Sequence, residues 1–226
     1  MTACPLGWHR GRLGDVVTYG VTKKAEPNQT PSDAWVLELE DIEKDTSRIL
    51  SRETAAQRRS KSTKNVFKCG DVLYGKLRPY LNKVVLADSA GFSTTEIVPL
   101  NARGYADQRF LFYWLKSAEF LDYVNSVSHG INMPRLGTEA GNAAPFVIAP
   151  IPEQKRIADK LDTLLARIDA CRDRLDRLPT IIKQFRQSVL AAATSGRLTE
   201  EWRERNPHAA KWLDRSLSDL TNKVRS

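Results

Sequence analysis

Two short stretches of this sequence carry residues suited to gripping a nucleic acid. The first, Gly75-Lys76-Leu77-Arg78-Pro79-Tyr80-Leu81-Asn82-Lys83, places three cations, an aromatic and an amide on one turn. An arginine fork can pair bidentately with guanine, an asparagine amide with adenine, and a lysine ammonium with a phosphate. Lys76, Arg78, Tyr80, Asn82 and Lys83 are therefore the first set of candidate contacts. The second stretch, Gly130-Ile131-Asn132-Met133-Pro134-Arg135, is a loop of the same type and offers Asn132 and Arg135. The plainer alternative is that Arg78 and Tyr80 only cap a sheet.

The charge distribution supports the same chemistry. The net charge is +8, and residues 58 to 83 hold Arg58, Arg59, Lys61, Lys64, Lys68, Lys76, Arg78 and Lys83 against Asp71 alone. Such a segment is the electrostatic footprint of phosphate contact. Arg58, Arg59, Lys61 and Lys64 are expected to neutralise phosphates, although a solvated basic face is the alternative. Just upstream, Glu38, Glu40, Asp41, Glu43 and Asp45 form an acidic patch, in which Glu38, Glu40 and Asp41 read as a solvated strand end, with Mg²⁺ binding as the alternative.

Catalytic patterns fail one by one. No glycine-rich phosphate loop, dinucleotide fingerprint or Asn/Asp-Pro-Pro-aromatic methyltransferase motif occurs. His9, His129 and His208 stand alone, without partners at metal-ligand spacing. Glu153-Gln154-Lys155 has a nuclease-like Glu-x-Lys spacing but no acidic companion, so it reads as the start of a helix. The chain is expected to be non-catalytic, with no metal. Cys4, Cys69 and Cys171 are too few and too scattered for a disulfide framework or a zinc site. With no secretory signal and no apolar run of membrane length, a cytoplasmic protein is expected.

The elements that must position these residues read as α+β. Strands are expected at Leu13–Val17, Ala34–Leu39, Val72–Leu77, Asn82–Ala87, Phe92–Leu100 and Phe146–Ile148. Residues 43 to 65 read as an exposed excursion with room for a short helical stretch. A helix is expected from Ala106 to about Val124, where Phe110, Trp114, Leu121 and Val124 share a face. The aromatics Phe110, Phe112, Tyr113 and Trp114 read as core. Residues 1–150 form the mixed α/β domain, 151–197 a long coiled-coil-forming helix and 198–226 a polar tail, in which Ser216–Val224 offers a short helix.

That long helix has a seam. Ile157, Leu161, Leu164, Ile168, Cys171, Leu175, Leu178, Ile182, Phe185, Val189, Ala192 and Gly196 follow one another in alternating steps of four and three. This mean spacing of 3.5 keeps one stripe against a partner helix. The seam keeps phase through Pro179, which predicts a kinked helix or two helices stacked end to end. Some 42 residues would span on the order of 60 Å, more than a domain of this size covers, so part of the seam must meet another helix. Ile157, Leu161, Leu164, Ile168, Leu175, Leu178, Ile182, Phe185 and Val189 are the candidate pairing residues.

Taken together, the pieces resemble the specificity subunit of a type I DNA restriction-modification system, HsdS. Three segments carry the likeness: Gly7-Trp8 with Leu13-Gly14-Asp15-Val16; Gly70 to Lys83 followed by Ser93-Thr94-Thr95-Glu96; and Pro150-Ile151-Pro152-Glu153-Gln154-Lys155-Arg156-Ile157 with the long helix and Ser195-Gly196-Arg197-Leu198-Thr199. The resemblance implies a target-recognition domain followed by a helical spacer, in a family whose full subunits hold two such units with the spacers paired antiparallel. It implies sequence-specific binding of double-stranded DNA, methylation and restriction subunits as partners, and S-adenosylmethionine, Mg²⁺ and ATP on those partners rather than on this chain. Only one unit is present here, which fits a half subunit that forms a homodimer, or a fragment. A coiled-coil adaptor or competitor that binds methylation subunits without reading DNA is the alternative.

Overall fold

The computed structural model describes residues 5–59, 61–130 and 132–206. The chain divides into two units, the first ending at Leu164 and the second beginning at Leu165. The first unit contains β1 (His9–Arg12), β2 (Lys24–Ala25), β3 (Trp35–Leu37), β4 (Glu53–Thr54), α1 (Ala55–Arg58), β5 (Lys64–Phe67), β6 (Val72–Gly75), β7 (Val84–Leu86), β8 (Gly91–Ser93), β9 (Ile97–Leu100), α2 (Gln108–Leu115), α3 (Ala118–Val127), α4 (Thr138–Ala143), β10 (Pro145–Ile148) and the start of α5 (Ile151–Thr194). The class is α+β, with a long helix after mixed sheets.

The wall of this unit is the antiparallel sheet β7-β6-β9. Side chains alternate across a strand, and here both faces are covered. Val72, Tyr74, Val84, Val98 and Leu100 enter one core, where Phe110, Leu111, Leu115, Phe120 and Phe146 meet them. Leu73, Val85 and Ile97 enter a second core with Leu37, Ile42 and Phe67. That double burial explains why these strands read as continuous apolar runs rather than as clean alternation. The second core is closed by a five-stranded sheet, β2-β5-β8-β3-β4, in which only β3 and β8 run parallel.

Several expected elements change form. Where a strand was expected over Leu13–Val17, Leu13–Asp15 forms a 3-10 turn, and Asp15 accepts the Arg12 amide at 2.8 Å and folds the backbone back. Leu13, Val16 and Val17 then bury together. The single stretch Phe92–Leu100 splits into β8 and β9, which lie in different sheets. The helix expected over 106–124 is two, since the Ser117 hydroxyl caps the Phe120 amide and starts α3 afresh. The excursion at 43–65 contains β4, α1 and the start of β5. Phe110 is buried, and the rings of Phe110 and Trp114 both pack edge-on against Phe146, in line with their reading as core. Gly141 lets Tyr19 reach the backbone of α4, since a Cβ there would lie 2.3 Å from the Tyr19 ring.

The second unit begins with the rest of α5. The helix runs without interruption through Pro179, so one continuous helix replaces the two stacked helices. The proline cannot bond the Leu175 carbonyl, but the surface there is exposed and water can take that bond. The helix ends at Thr194, as the Thr194-Ser195-Gly196 signal indicates, with Gly196 in the left-handed region at φ 76°. A 3-10 turn at Arg197–Thr199 leads into α6 (Glu200–Arg205). The helix anticipated over Ser216–Val224 lies outside the described residues. Among the described residues, no helix is long and apolar enough to cross a membrane.

Candidate nucleic-acid interface

The two loops singled out by composition are far apart in sequence and hydrogen-bonded in space. The Arg78 amide donates to the Pro134 carbonyl at 2.8 Å, and the Leu136 amide donates to the Lys76 carbonyl at 3.0 Å. Arg135 bridges Leu77 on one side and His129 on the other. The second loop is thus a small hairpin zipped to the end of β6. The first loop is shaped by a 3-10 turn over Pro79–Leu81, flanked by Arg78 (φ 49°) and Asn82 (φ 50°) in the left-handed region. Side chains larger than glycine sit there at a cost of about 1 kcal/mol or more. Strain of that kind is maintained where a loop must present a defined shape.

The candidate contacts divide into presented and internal groups. Arg78, Tyr80, Asn132, Arg59 and Lys61 are exposed, and Lys76 is half-buried. Arg78 borders a cleft of about 240 Å³ with Glu40, Leu81 and Met133, which offers both a donor fork and a carboxylate acceptor to a base edge. Arg135 is half-exposed and tied to Glu96 at 3.1 Å.

Four expected contacts are buried or engaged within the protein. Arg58 keeps only 11% of its side chain exposed and ion-pairs with Asp41, with Glu38 at 3.2 Å and with Glu53 at 3.7 Å. Burial works against its charge, but the hydrogen bond and field of Asp41, helped by Glu38 and Glu53, outweigh that and raise its pKa. Lys64, 4% exposed, faces Glu38 at 3.8 Å and donates to Ser62 Oγ. Lys83 Nζ donates to the Leu39 carbonyl at 2.6 Å. Asn82 is buried and its Oδ1 has no partner among the described residues. For Arg58 and Lys64 the physical reason is shared: Glu38 and Asp41 of the upstream acidic patch fold onto the basic segment. Asp41, itself buried, is a counterion rather than a solvated strand end.

The base of α5 is clamped to the first unit. Gln154 is fully buried; its Oε1 accepts the Asp107 amide at 2.8 Å and its Nε2 donates to the Ala149 carbonyl at 2.7 Å. Trp8 Nε1 donates to Glu153 at 2.9 Å, so Glu153-Gln154-Lys155 is a helix start, as read. Arg109 pairs with Asp159 at 2.8 Å and Asp162 at 2.7 Å, and Tyr113 donates to Asp162. Asp159 first, then Asp162, holds the Arg109 guanidinium more firmly protonated, while burial and Asp162 push the Tyr113 hydroxyl up. Ile157 packs on this unit's core and Leu161 is half-buried, so Ile157 is partly used at home. From Leu164 onward the seam is open: Ile168, Leu175, Leu178, Ile182, Phe185 and Val189 are all exposed, Phe185 at 68%.

Among the described residues, no group of three or more His, Cys, Asp or Glu side chains could hold a metal. No protein-family profile matches the chain. It is 28% identical over 185 residues to the EcoDI type I restriction enzyme specificity subunit of Escherichia coli, covering 82% of this chain and 41% of that one. It is 34% identical over 117 residues to the EcoKI specificity subunit of Escherichia coli strain K12, and 37% identical over 122 residues to that of StySPI from Salmonella potsdam. The chain is thus similar to specificity subunits of type I restriction enzymes. A structure of HsdS from Thermoanaerobacter tengcongensis aligns with a TM-score of 0.64 at 25% identity, over 75% of this chain and 44% of that one. A chain from a type I restriction-modification assembly aligns at 0.70 with 23% identity, which speaks for the fold. The alignments span 41% of EcoDI, 25% of EcoKI and 26% of StySPI, and about half, 51%, of the assembly chain. These relatives are named for specificity rather than catalysis, in agreement with a non-catalytic chain.

Proposed function

We propose that this chain is the DNA-reading half of a type I specificity subunit, recognising one part of a split duplex sequence. Two copies pair through α5 to read both parts, and methylation subunits carrying S-adenosylmethionine dock on the pair. A restriction subunit using Mg²⁺ and ATP joins them, and the assembly works in the cytoplasm, where the DNA is. The carrying observation is the zipped pair of loops, which sets Arg78, Tyr80 and Asn132 on one hydrogen-bonded scaffold. Its kinship with specificity subunits supports the same reading.

The homodimer draws support from a property of the seam. Ile157 and Val189, Leu161 and Phe185, Leu164 and Ile182, Ile168 and Leu178, and Cys171 and Leu175 are each placed symmetrically about position 173. An antiparallel second copy centred there meets an apolar side chain with an apolar side chain in every layer. Burying some ten such side chains per helix contributes about 1 to 2 kcal/mol each before ordering costs.

Methylation-site mapping with this chain and a methylation subunit of its system tests the proposal. A two-fold assembly of identical readers modifies a palindromic, interrupted motif. A non-palindromic motif rules out the homodimer, and a pattern independent of this chain rules out reading altogether.

A further inference from the structure

At the foot of the zipped loops lies a second, smaller cleft of about 120 Å³, whose lining includes Thr22, Lys24, Asn65, Lys76, Thr95 and Thr138. These residues come from separate segments: Lys24 from β2, Asn65 from β5, Lys76 from the end of β6, Thr95 from between β8 and β9, and Thr138 from the start of α4. The floor is fixed. Asn65 is buried, accepts the Thr22 hydroxyl at 2.8 Å and donates to the Ile97 carbonyl at 2.8 Å. No carboxylate lines the cleft. Glu96, next to Thr95, is already engaged by Arg135. Lys24 and Lys76 form no side-chain hydrogen bond or ion pair among the described residues, and neither do the Thr95 and Thr138 hydroxyls. Two lysines and two threonines with unengaged polar groups therefore line a space well below the roughly 300 Å³ at which pockets for whole small molecules begin. A tetrahedral oxyanion fits that chemistry and that size; a nucleoside does not.

We propose that this cleft seats one phosphate of the bound DNA backbone, gripped between Lys24 and Lys76 with Thr95 and Thr138 donating hydrogen bonds. The inference rests on the DNA-reading function proposed above. Lys76 links the two sites, since its carbonyl takes the Leu136 amide that zips the loops. A phosphate in the cleft would thus anchor the scaffold that carries Arg78 without itself contributing to base choice. Gly20 keeps the rim close, because a Cβ there would lie 2.7 Å from the Thr138 hydroxyl oxygen.

The test is the salt dependence of duplex binding by the full chain, with its methylation subunit present, for the parent, K24Q, K76Q and the double variant. Because both lysines hold the same phosphate, the double variant flattens the slope of log affinity against log salt by about one unit, worth about 3.5-fold between 50 and 200 mM salt. Relative affinities for different sequences stay the same. A slope unchanged in the double variant overturns the cleft, and so does a loss of about two units, which places the lysines on separate phosphates. Inorganic phosphate supplies the other arm. If it raises the thermal midpoint of the parent but not of the double variant while the DNA slope is unaltered, the cleft binds free phosphate and the DNA assignment falls. A parent that binds no duplex at all overturns the reading function itself, whereas an unchanged slope alongside sequence-selective binding overturns the cleft alone.

Discussion

Arg58 and Arg78 lie in the same basic stretch, and the fold gives them opposite work. Arg58 is nearly enclosed by Glu38, Asp41 and Glu53, and its Nε donates to the Val36 carbonyl at 2.9 Å. Removing one partner of such a pair leaves buried charge unpaired, at a cost of about 3 to 5 kcal/mol. Arg58→Ala is expected to lower the free energy of unfolding by about that much in urea melts, without altering base preference in whatever protein remains folded. Arg78 is exposed at the tip of the zipped loops. Arg78→Ala is expected to leave the melt within about 0.5 kcal/mol, relax the preferred sequence and cost about 1 to 3 kcal/mol of specific binding. A selection experiment on a randomised duplex pool reads the second effect, and unchanged preference would remove Arg78 from the reading surface.

At the scale of elements, what the sequence reveals depends on how local the cause is. The seam of α5 is a local periodicity, so its extent was legible from spacing and from the Thr194-Ser195-Gly196 stop signal, but its unbroken passage through Pro179 was not. The central strands were legible too, because burial on both faces makes them apolar throughout. The 3-10 turn at Leu13 was not, since one Asp15 hydrogen bond decides it against a β-branched Val16-Val17. The two candidate loops stood out by composition, but their pairing did not: the Arg78–Pro134 bond joins residues that no pattern links. Arg58 and Lys64 misled for the same reason, as charge runs are one-dimensional and counterions are not. The phosphate cleft left no trace in sequence, being assembled from single residues of separate segments. Pro179 belongs at this scale as well. It lies in a continuous helix with an exposed surface, where proline costs about 3 kcal/mol relative to alanine. Pro179→Ala is expected to raise the thermal midpoint of α5, followed by circular dichroism at 222 nm. A lowered midpoint would mean that the proline is needed by something packed against it.

For the whole molecule, the symmetry of the seam decides how a second copy can be seated. A parallel mate places each residue opposite itself, so Cys171 faces Cys171 of the second copy. An antiparallel mate centred on position 173 places Cys171 opposite Leu175 of the second copy, twice per dimer. Cys171 is a free, exposed thiol in the single chain, so it can report directly. With Cys4 and Cys69 replaced by serine, the Cys171 chain is expected to stay uncrosslinked under mild oxidation, because the two thiols sit off-layer by about 6 Å along the axis, beyond comfortable disulfide reach once the lateral gap is added. Adding Leu175→Cys is expected to give a covalent dimer in high yield, visible on a non-reducing gel. Efficient crosslinking by Cys171 alone would instead establish a parallel pair, which puts both readers at one end of the coil and removes the geometry that an interrupted palindrome requires.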